Sequence, residues 1–414
     1  MKKQHVSASR FSRWGFAFVL VSGLTVLASC GGGSSSSSGG NSGSGGGSAV
    51  NNTQAVQVNL GPLNNDADVL FTNVTLCAPG TSNCQTIQDV QVDTGSEGLR
   101  ILASQISIPL TQVNDSSGSP LGNCVTFADN SYVWGPVEAA DVEMAGEKAS
   151  SVPIQVIGDT HFPVVPHACN SGGTNDNSVA ALGANGLIGV GVFRHDCGAA
   201  CAGSVSTVPP IYFSCPSSGC AVASVPLNNQ LQNPVWLFAQ DNNGLMISLP
   251  SIPSPGATTV SGSMIFGIGT QSDNALGSAK VYTTDGQGNF TTTFNNKAYS
   301  SSYLDTGSNG IFFLSSSTIG IPACTDGNKG FSCPTSTQNF TAANTGVNGT
   351  SGQVSFNISN ADTLFKSGNS AFNDLGGPDT GQFDWGLAFF FGRNVFIAIN
   401  TQTTPAGAGP YWAY

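Results

Sequence analysis

Asp93-Thr94-Gly95-Ser96 returns unchanged as Asp305-Thr306-Gly307-Ser308 in a chain of 414 residues. Val90 and Val92 lead into the first copy, and Leu99, Ile101 and Leu102 follow it. Tyr303 and Leu304 lead into the second, and Ile311, Phe312, Phe313 and Leu314 follow. At this chain's usage of the four residue types, roughly a few hundredths of one copy is expected by chance. An apolar run into an acidic turn and another out of it, written twice, predicts a duplicated β unit. Each half then presents one carboxylate at the same place, and two carboxylates facing across a near two-fold axis can activate water. Taken singly, either copy is also a good β-turn sequence, because Asp, Gly and Ser all favour turns.

Helical periodicity is scarce elsewhere. Short runs of Val, Ile, Phe and Thr alternate with Gly, Pro, Asn and Ser, which predicts an all-β chain. Expected strands include Val152 to Ile157, Val235 to Phe238, Leu245 to Leu249, Met264 to Ile268 and a long buried central strand from Phe389 to Ile399. The duplication reaches past the acids. Asn185-Gly186-Leu187-Ile188-Gly189-Val190-Gly191 follows the first motif and Asp384-Trp385-Gly386-Leu387-Ala388-Phe389 the second. Each half reads as acid turn, strands, then an apolar-Gly segment. The polar stretch Gln240 to Gly244 marks the expected boundary, giving lobes of residues 49–240 and 241–414.

With these features the chain resembles the pepsin-like aspartic proteases over residues 55–400. The paired Asp-Thr-Gly-Ser motifs 212 positions apart, the Gly-Leu-Ile-Gly segment, Ser263-Met264-Ile265-Phe266-Gly267 and the closing Phe-rich segment carry the likeness. It looks closest to a family of secreted proteobacterial lipoproteins of uncharacterised function. The resemblance implies an all-β, bilobal pepsin-like (acid protease) fold with two pseudo-symmetric lobes and a central cleft. It implies Asp93 and Asp305 as the catalytic pair, about 3 Å apart, unable to ionise together and so sharing one proton. The ionised member would take a proton from a water held between them while the neutral one donates to the scissile carbonyl. Gly95 and Gly307 would let backbone amides approach the carboxylates. By the same resemblance Thr94 and Thr306 would bond across the pseudo-dyad, and Ser96 and Ser308 would hydrogen-bond the outer carboxylate oxygens. No metal or other cofactor is implied.

A flap over the cleft is expected in residues 124–136, with Tyr132 as its aromatic and Trp134 and Phe127 as alternatives, packing in the core or hairpin being the other reading of all three. The Tyr followed by alternating glycines that marks the family's flap is absent. Leu387 stands where the family usually has an acid after the second apolar-Gly motif. Both departures bear on cleft shape and activity more than on fold. His161 and His167 read as surface or packing residues rather than metal ligands. The chain has no Gly-x-Ser-x-Gly elbow for a serine nucleophile.

Lys2, Lys3, Arg10 and Arg13 precede an apolar stretch, Gly15 to Leu27, too short for a stable membrane span, and this start reads as an export signal over residues 1–29. Leu27-Ala28-Ser29-Cys30 looks like a bacterial lipoprotein site, with Cys30 acylated, although an ordinary secretory signal is the other reading. Residues 31–48 are Gly and Ser apart from Asn41, a flexible tether spanning roughly 25 Å. Gly31 after the cysteine implies an outer-membrane destination. The leader takes four of the 12 basic residues and none of the 23 acidic ones, leaving a formal net charge of −15. That balance argues against nucleic acid or anionic lipid as a partner. Ten cysteines remain after Cys30 of the 11, and an even number in an exported chain reads as five disulfides. Cys77–Cys84 and Cys324–Cys333 are the expected short-loop pairs. A zinc site of Cys197, Cys201, Cys215 and Cys220 is the alternative for four of the rest.

The sequence therefore predicts a monomeric, lipid-anchored aspartic-type endopeptidase acting on extended peptide segments, active without removal of a propeptide. The rival is an envelope lipoprotein of the same fold that binds peptides or another envelope component with weak or no catalysis.

Overall fold

A computed structural model describes residues 51–170 and 172–414. The leader, Cys30 and the Gly/Ser tether lie outside the described residues. Among those described, no helix is long and apolar enough to cross a membrane.

The same topological device builds each half. In the first, the strand Cys84–Asp93 runs into the acid turn and Glu97–Leu102 leaves it. Between them a later strand, Gly186–Val190, is inserted, parallel to Cys84–Asp93 (Val90 opposite Gly186, Asp93 opposite Gly189) and antiparallel to Glu97–Leu102. In the second, Lys297–Leu304 runs in, Ile311–Phe313 leaves, and Phe383–Trp385 is inserted with the same two polarities. Because the inserted strand separates the two that flank the turn, the acid loop is held open at the strand ends. The glycines of the apolar-Gly segments are required by this insertion. A Cβ on Gly189 would lie 2.5 Å from the Glu97 amide nitrogen, and one on Gly386 2.0 Å from the Gly310 carbonyl oxygen.

A shared sheet joins the halves. Thr53–Val58 pairs with Val260–Phe266, which pairs with Gly244–Leu249, then Arg393–Ala398, then Tyr411–Ala413. The aromatic tail is thus a strand of this sheet, with Trp412 buried and its indole N–H donating to the Gly288 carbonyl at 3.3 Å. One apolar core runs from Val56 through Val92 and Ile188 to Leu304, Trp385 and Trp412.

Two strand expectations are corrected. Pro234–Leu237 is a 3₁₀ turn rather than part of a strand, since Pro234 supplies no donor and the Asn233 side chain caps the Val235 amide at 3.0 Å. The closing strand spans only Arg393–Ala398. Leu387–Phe389 forms another 3₁₀ turn, and Gly392, at φ 75°, turns the chain before extension begins. The strand itself is buried and central as expected.

All ten cysteines pair, as Cys77–Cys84, Cys124–Cys169, Cys197–Cys201, Cys215–Cys220 and Cys324–Cys333. Both short-loop expectations are met, and the four cysteines of the zinc alternative form two bridges instead. Five bridges mark a chain that folds outside the cytoplasm.

Candidate active site

The two Asp-Thr-Gly-Ser loops meet where the lobes join. Gly95 N–H donates to Asp93 Oδ1 at 2.8 Å and Gly307 N–H to Asp305 Oδ1 at 2.7 Å, so each aspartate closes its own turn. Ser96 Oγ donates to Asp93 Oδ2 at 2.5 Å, and Ser308 Oγ lies 3.2 Å from Asp305 Oδ2. The threonines cross the seam reciprocally. Thr94 N–H donates to Thr306 Oγ1 at 3.2 Å and Thr306 N–H to Thr94 Oγ1 at 3.0 Å. Their hydroxyls go on to the opposite strand, Thr94 to the Leu304 carbonyl at 3.1 Å and Thr306 to the Val92 carbonyl at 2.7 Å. Four bonds thus tie residues more than two hundred positions apart, and Gln91 adds a fifth by donating to the Gly307 carbonyl at 3.1 Å.

This bracing brings the two carboxyls into hydrogen-bonding contact. A Cβ on Gly307 would sit 2.6 Å from Asp93 Oδ1 and 2.9 Å from Asp305 Oδ1, so only glycine leaves room beside the pair. Both aspartates are fully buried. Burial pushes the Asp305 carboxyl well above the usual carboxylate range, the charges of Asp93 and then Asp384 add to the rise, and the Gly307 amide opposes it. The second of two adjacent buried carboxylates holds its proton because ionising it would put like charges together without water between them.

A cavity of about 390 Å³ lies against the pair, with Thr94 and Gly95 on one side and Tyr303 and Leu304 on the other. Neither carboxylate lines it directly. The hairpin of Leu121–Thr126 and Tyr132–Met144 reaches over it, contributing Thr126, Phe127, Ala128 and Asn130 from its tip. Of the three aromatic candidates only Phe127 lines the cavity. Tyr132 and Trp134 pack within the hairpin instead, against Phe213 and the Cys124–Cys169 bridge, which is the packing alternative. Cys124 opposes Trp134 in the hairpin, which sets the indole beside the Cys124–Cys169 bridge. Phe127 sits in the turn. The Trp134 ring meets Phe213 edge-on at 5.3 Å, and its N–H donates to the Phe162 carbonyl at 3.1 Å.

Several site residues escaped the sequence reading. Asp196 lines the cavity wall and is wholly buried, where Arg100 Nη2 reaches it at 3.3 Å and Tyr212 donates to it at 2.7 Å. Burial lifts its carboxyl to about 6 despite the Arg100 charge and the Tyr212 hydroxyl, which pull the other way. Glu97, directly after the first motif, accepts from the Phe193 amide at 3.1 Å. Asp384 accepts from Ser308 Oγ at 2.6 Å. Its one signal in sequence was an acid inside the apolar run Phe383-Asp384-Trp385.

The remaining candidates stand apart. His161 is exposed and pairs with Asp159 at 2.8 Å. Cys197 is bridged to Cys201. Among the described residues, the groups of potential metal ligands that come together are built on bridged cysteines, Cys77 with Cys84 and Cys324 with Cys333.

Duplicated inserted-strand units, a shared sheet beneath them and an aspartate from each at the seam define the bilobal pepsin-like aspartic protease fold. The chain is similar in structure to an aspartic proteinase from Irpex lacteus at 14% identity and a TM-score of 0.51, over 87% of this chain and 96% of that one. At this identity the likeness establishes the fold. The chain belongs to the family described as "Protein of unknown function (DUF3443)", whose model matches residues 48–414. No curated protein matches the sequence.

Proposed function

We propose that this protein is an aspartic-type endopeptidase, tethered through Cys30 to the outer membrane and working as a monomer on extended peptide segments. The observation that carries the reading is the reciprocal Thr94–Thr306 brace, which holds two buried carboxyls in contact; like charges so placed cannot both ionise, and the pair would share one proton. A pair in that state supplies base and acid together, so water attack on a carbonyl needs no covalent intermediate. Asp93 and Asp305 would do the chemistry. The threonines, glycines and serines of the two motifs would hold them, and Phe127 would contact substrate from the hairpin tip. Both carboxyls are fully buried, so the cleft must open before substrate reaches them.

The hairpin also supports the second reading. It is stapled just below its tip by Cys124–Cys169 and by Trp134 and Tyr132, which restrains any lifting of the tip and suits a binder or a protease confined to few substrates.

The soluble body from residue 50 should cleave members of a random peptide library between acidic and neutral pH, read by mass spectrometry. Asp93→Asn and Asp305→Asn should each lower turnover about a thousandfold. Cleavage indifferent to both substitutions would sink the dyad mechanism, and folded protein that cleaves nothing at any pH would favour the binder.

A further inference from the structure

Behind the pair lies a third carboxylate. Asp384 sits in the inserted strand Phe383–Trp385, is fully buried, and shares one hydroxyl with Asp305: Ser308 Oγ is 2.6 Å from Asp384 Oδ2 and 3.2 Å from Asp305 Oδ2. A hydroxyl has a single proton to give. The shorter contact has the length of a charge-assisted O–H···O⁻ bond, whereas the longer exceeds the usual O–H···O range of about 2.5–3.0 Å. Ser308 therefore commits its proton to Asp384.

Among the described residues, the first lobe shows no such competitor. There Ser96 gives its proton to Asp93 Oδ2 at 2.5 Å and the Gly95 amide serves Oδ1. The strand registers match Tyr303 opposite Asp384 to Gln91 opposite Leu187, so the place of the third acid is held by an uncharged leucine. Equal motifs thus hold their aspartates unequally. Asp93 keeps both donors, while Asp305 keeps the Gly307 amide and contacts Asp93.

From this asymmetry we infer that Asp384 is a positioning residue: by capturing the Ser308 proton and facing Asp305 with a negative charge, it places the single proton of the pair on Asp305 and leaves Asp93 as the base. The inference rests on the endopeptidase reading for its consequence, and on the hydrogen-bond geometry for the proton itself. Asp93 and Asp384 are the charges bearing on Asp305, and both raise it. Around Asp384 the strand pairing sets the phenol of Tyr303 on one side and uncharged Phe312 on the other.

Two variants test it, Asp384→Asn, which keeps an acceptor for Ser308 but no charge, and Asp384→Leu, which copies the first lobe. Each is first shown to be folded by near-ultraviolet circular dichroism. The upper limb of the kcat/KM pH profile reports loss of the shared proton, and removing a nearby negative charge lets that proton leave at lower pH. The limb should fall by about one pH unit in Asp384→Asn and further in Asp384→Leu. A residue that only packs would change the rate and leave the limb where it was. Infrared titration of the protonated carboxyl band that persists above pH 6, where Asp196 has released its own proton, reads the same proton without turnover. The band should vanish at lower pH in both variants and be lost in Asp305→Asn. If the wild type cleaves nothing but the band shifts as stated, the peptidase reading fails and the proton placement stands. If both folded variants leave limb and band unmoved, or if the band is lost in Asp384→Asn and kept in Asp305→Asn, the inference is overturned.

Discussion

The two lobes share one topology and one tetrapeptide, yet they are held together by different chemistry. Four of the five bridges fall between Cys77 and Cys220, in the first lobe, and only Cys324–Cys333 lies in the second. The second lobe has instead an aromatic cluster in which Phe313 meets Phe294, Phe340, Phe356 and Phe383 with ring centroids 5.1 to 5.9 Å apart. The contrast continues behind the site. Beside the first loop a buried acid, Asp196, is compensated by Arg100 and Tyr212. Beside the second, Asp384 is joined through Ser308 to another acid. A duplicated fold fixes where backbone and glycines must be, and leaves each half free to choose what stiffens it and which charges face its aspartate.

If the aromatic cluster stiffens the second lobe, its removal should be the costliest change of all. Phe313→Ala deletes a ring that is fully buried among four others, and should destabilise by about 3–5 kcal/mol. Breaking the longest bridge by Cys124→Ser with Cys169→Ser should cost about 3 kcal/mol, since it frees a loop of 45 positions. Urea midpoints of the two variants measure both. A loss for Phe313→Ala no larger than for the bridge variant would erase the proposed division of labour.

The seam itself should be symmetric where the backing is not. Thr94→Val and Thr306→Val each remove two of the four crossing bonds and strand a buried amide, so each should cost about 2 kcal/mol. Equal losses in thermal unfolding would support a true pseudo-dyad. A difference greater than about 1 kcal/mol would mean that one lobe carries the brace.

How much of this was legible beforehand follows from range. The duplicated tetrapeptides and apolar-Gly segments gave the fold, because their residues are dictated by local geometry: an acid closing its own turn, a glycine pressed against a backbone atom. The threonine brace was legible only through resemblance. For Tyr132 and Trp134 the sequence leaves cleft and packing both open, and only Phe213 and Cys169, distant in the chain, decide for packing. Asp196 and Asp384 went unnoticed because an acid reads as surface until its burial is seen. The two 3₁₀ turns were hidden for the opposite reason, since Val235 to Phe238 and Phe389 to Phe391 are apolar enough to pass as strand.

Per unit of pH the smallest effect is the one that separates the lobes by titration. Asp196 holds its proton up to about 6 in the folded protein, against 3.8 ordinarily, and Asp305 is raised in the same direction. Unfolding releases those protons wherever the pH lies above the ordinary value and below the folded one. Stability is therefore greatest below about pH 4 with respect to these groups and falls as the pH rises, by up to about 1.4 kcal/mol per pH unit for each. The Asp196 contribution ends near pH 6, so Asp196→Asn should flatten the curve below that point and leave untouched whatever belongs to Asp305. Asp305→Asn should do the converse. Melting temperatures from pH 4 to 8 decide it. A wild-type curve that rises with pH through 4 to 6 would show that Arg100 outweighs burial at Asp196, making the first lobe's acid an ordinary ion pair and the contrast with Asp384 sharper still.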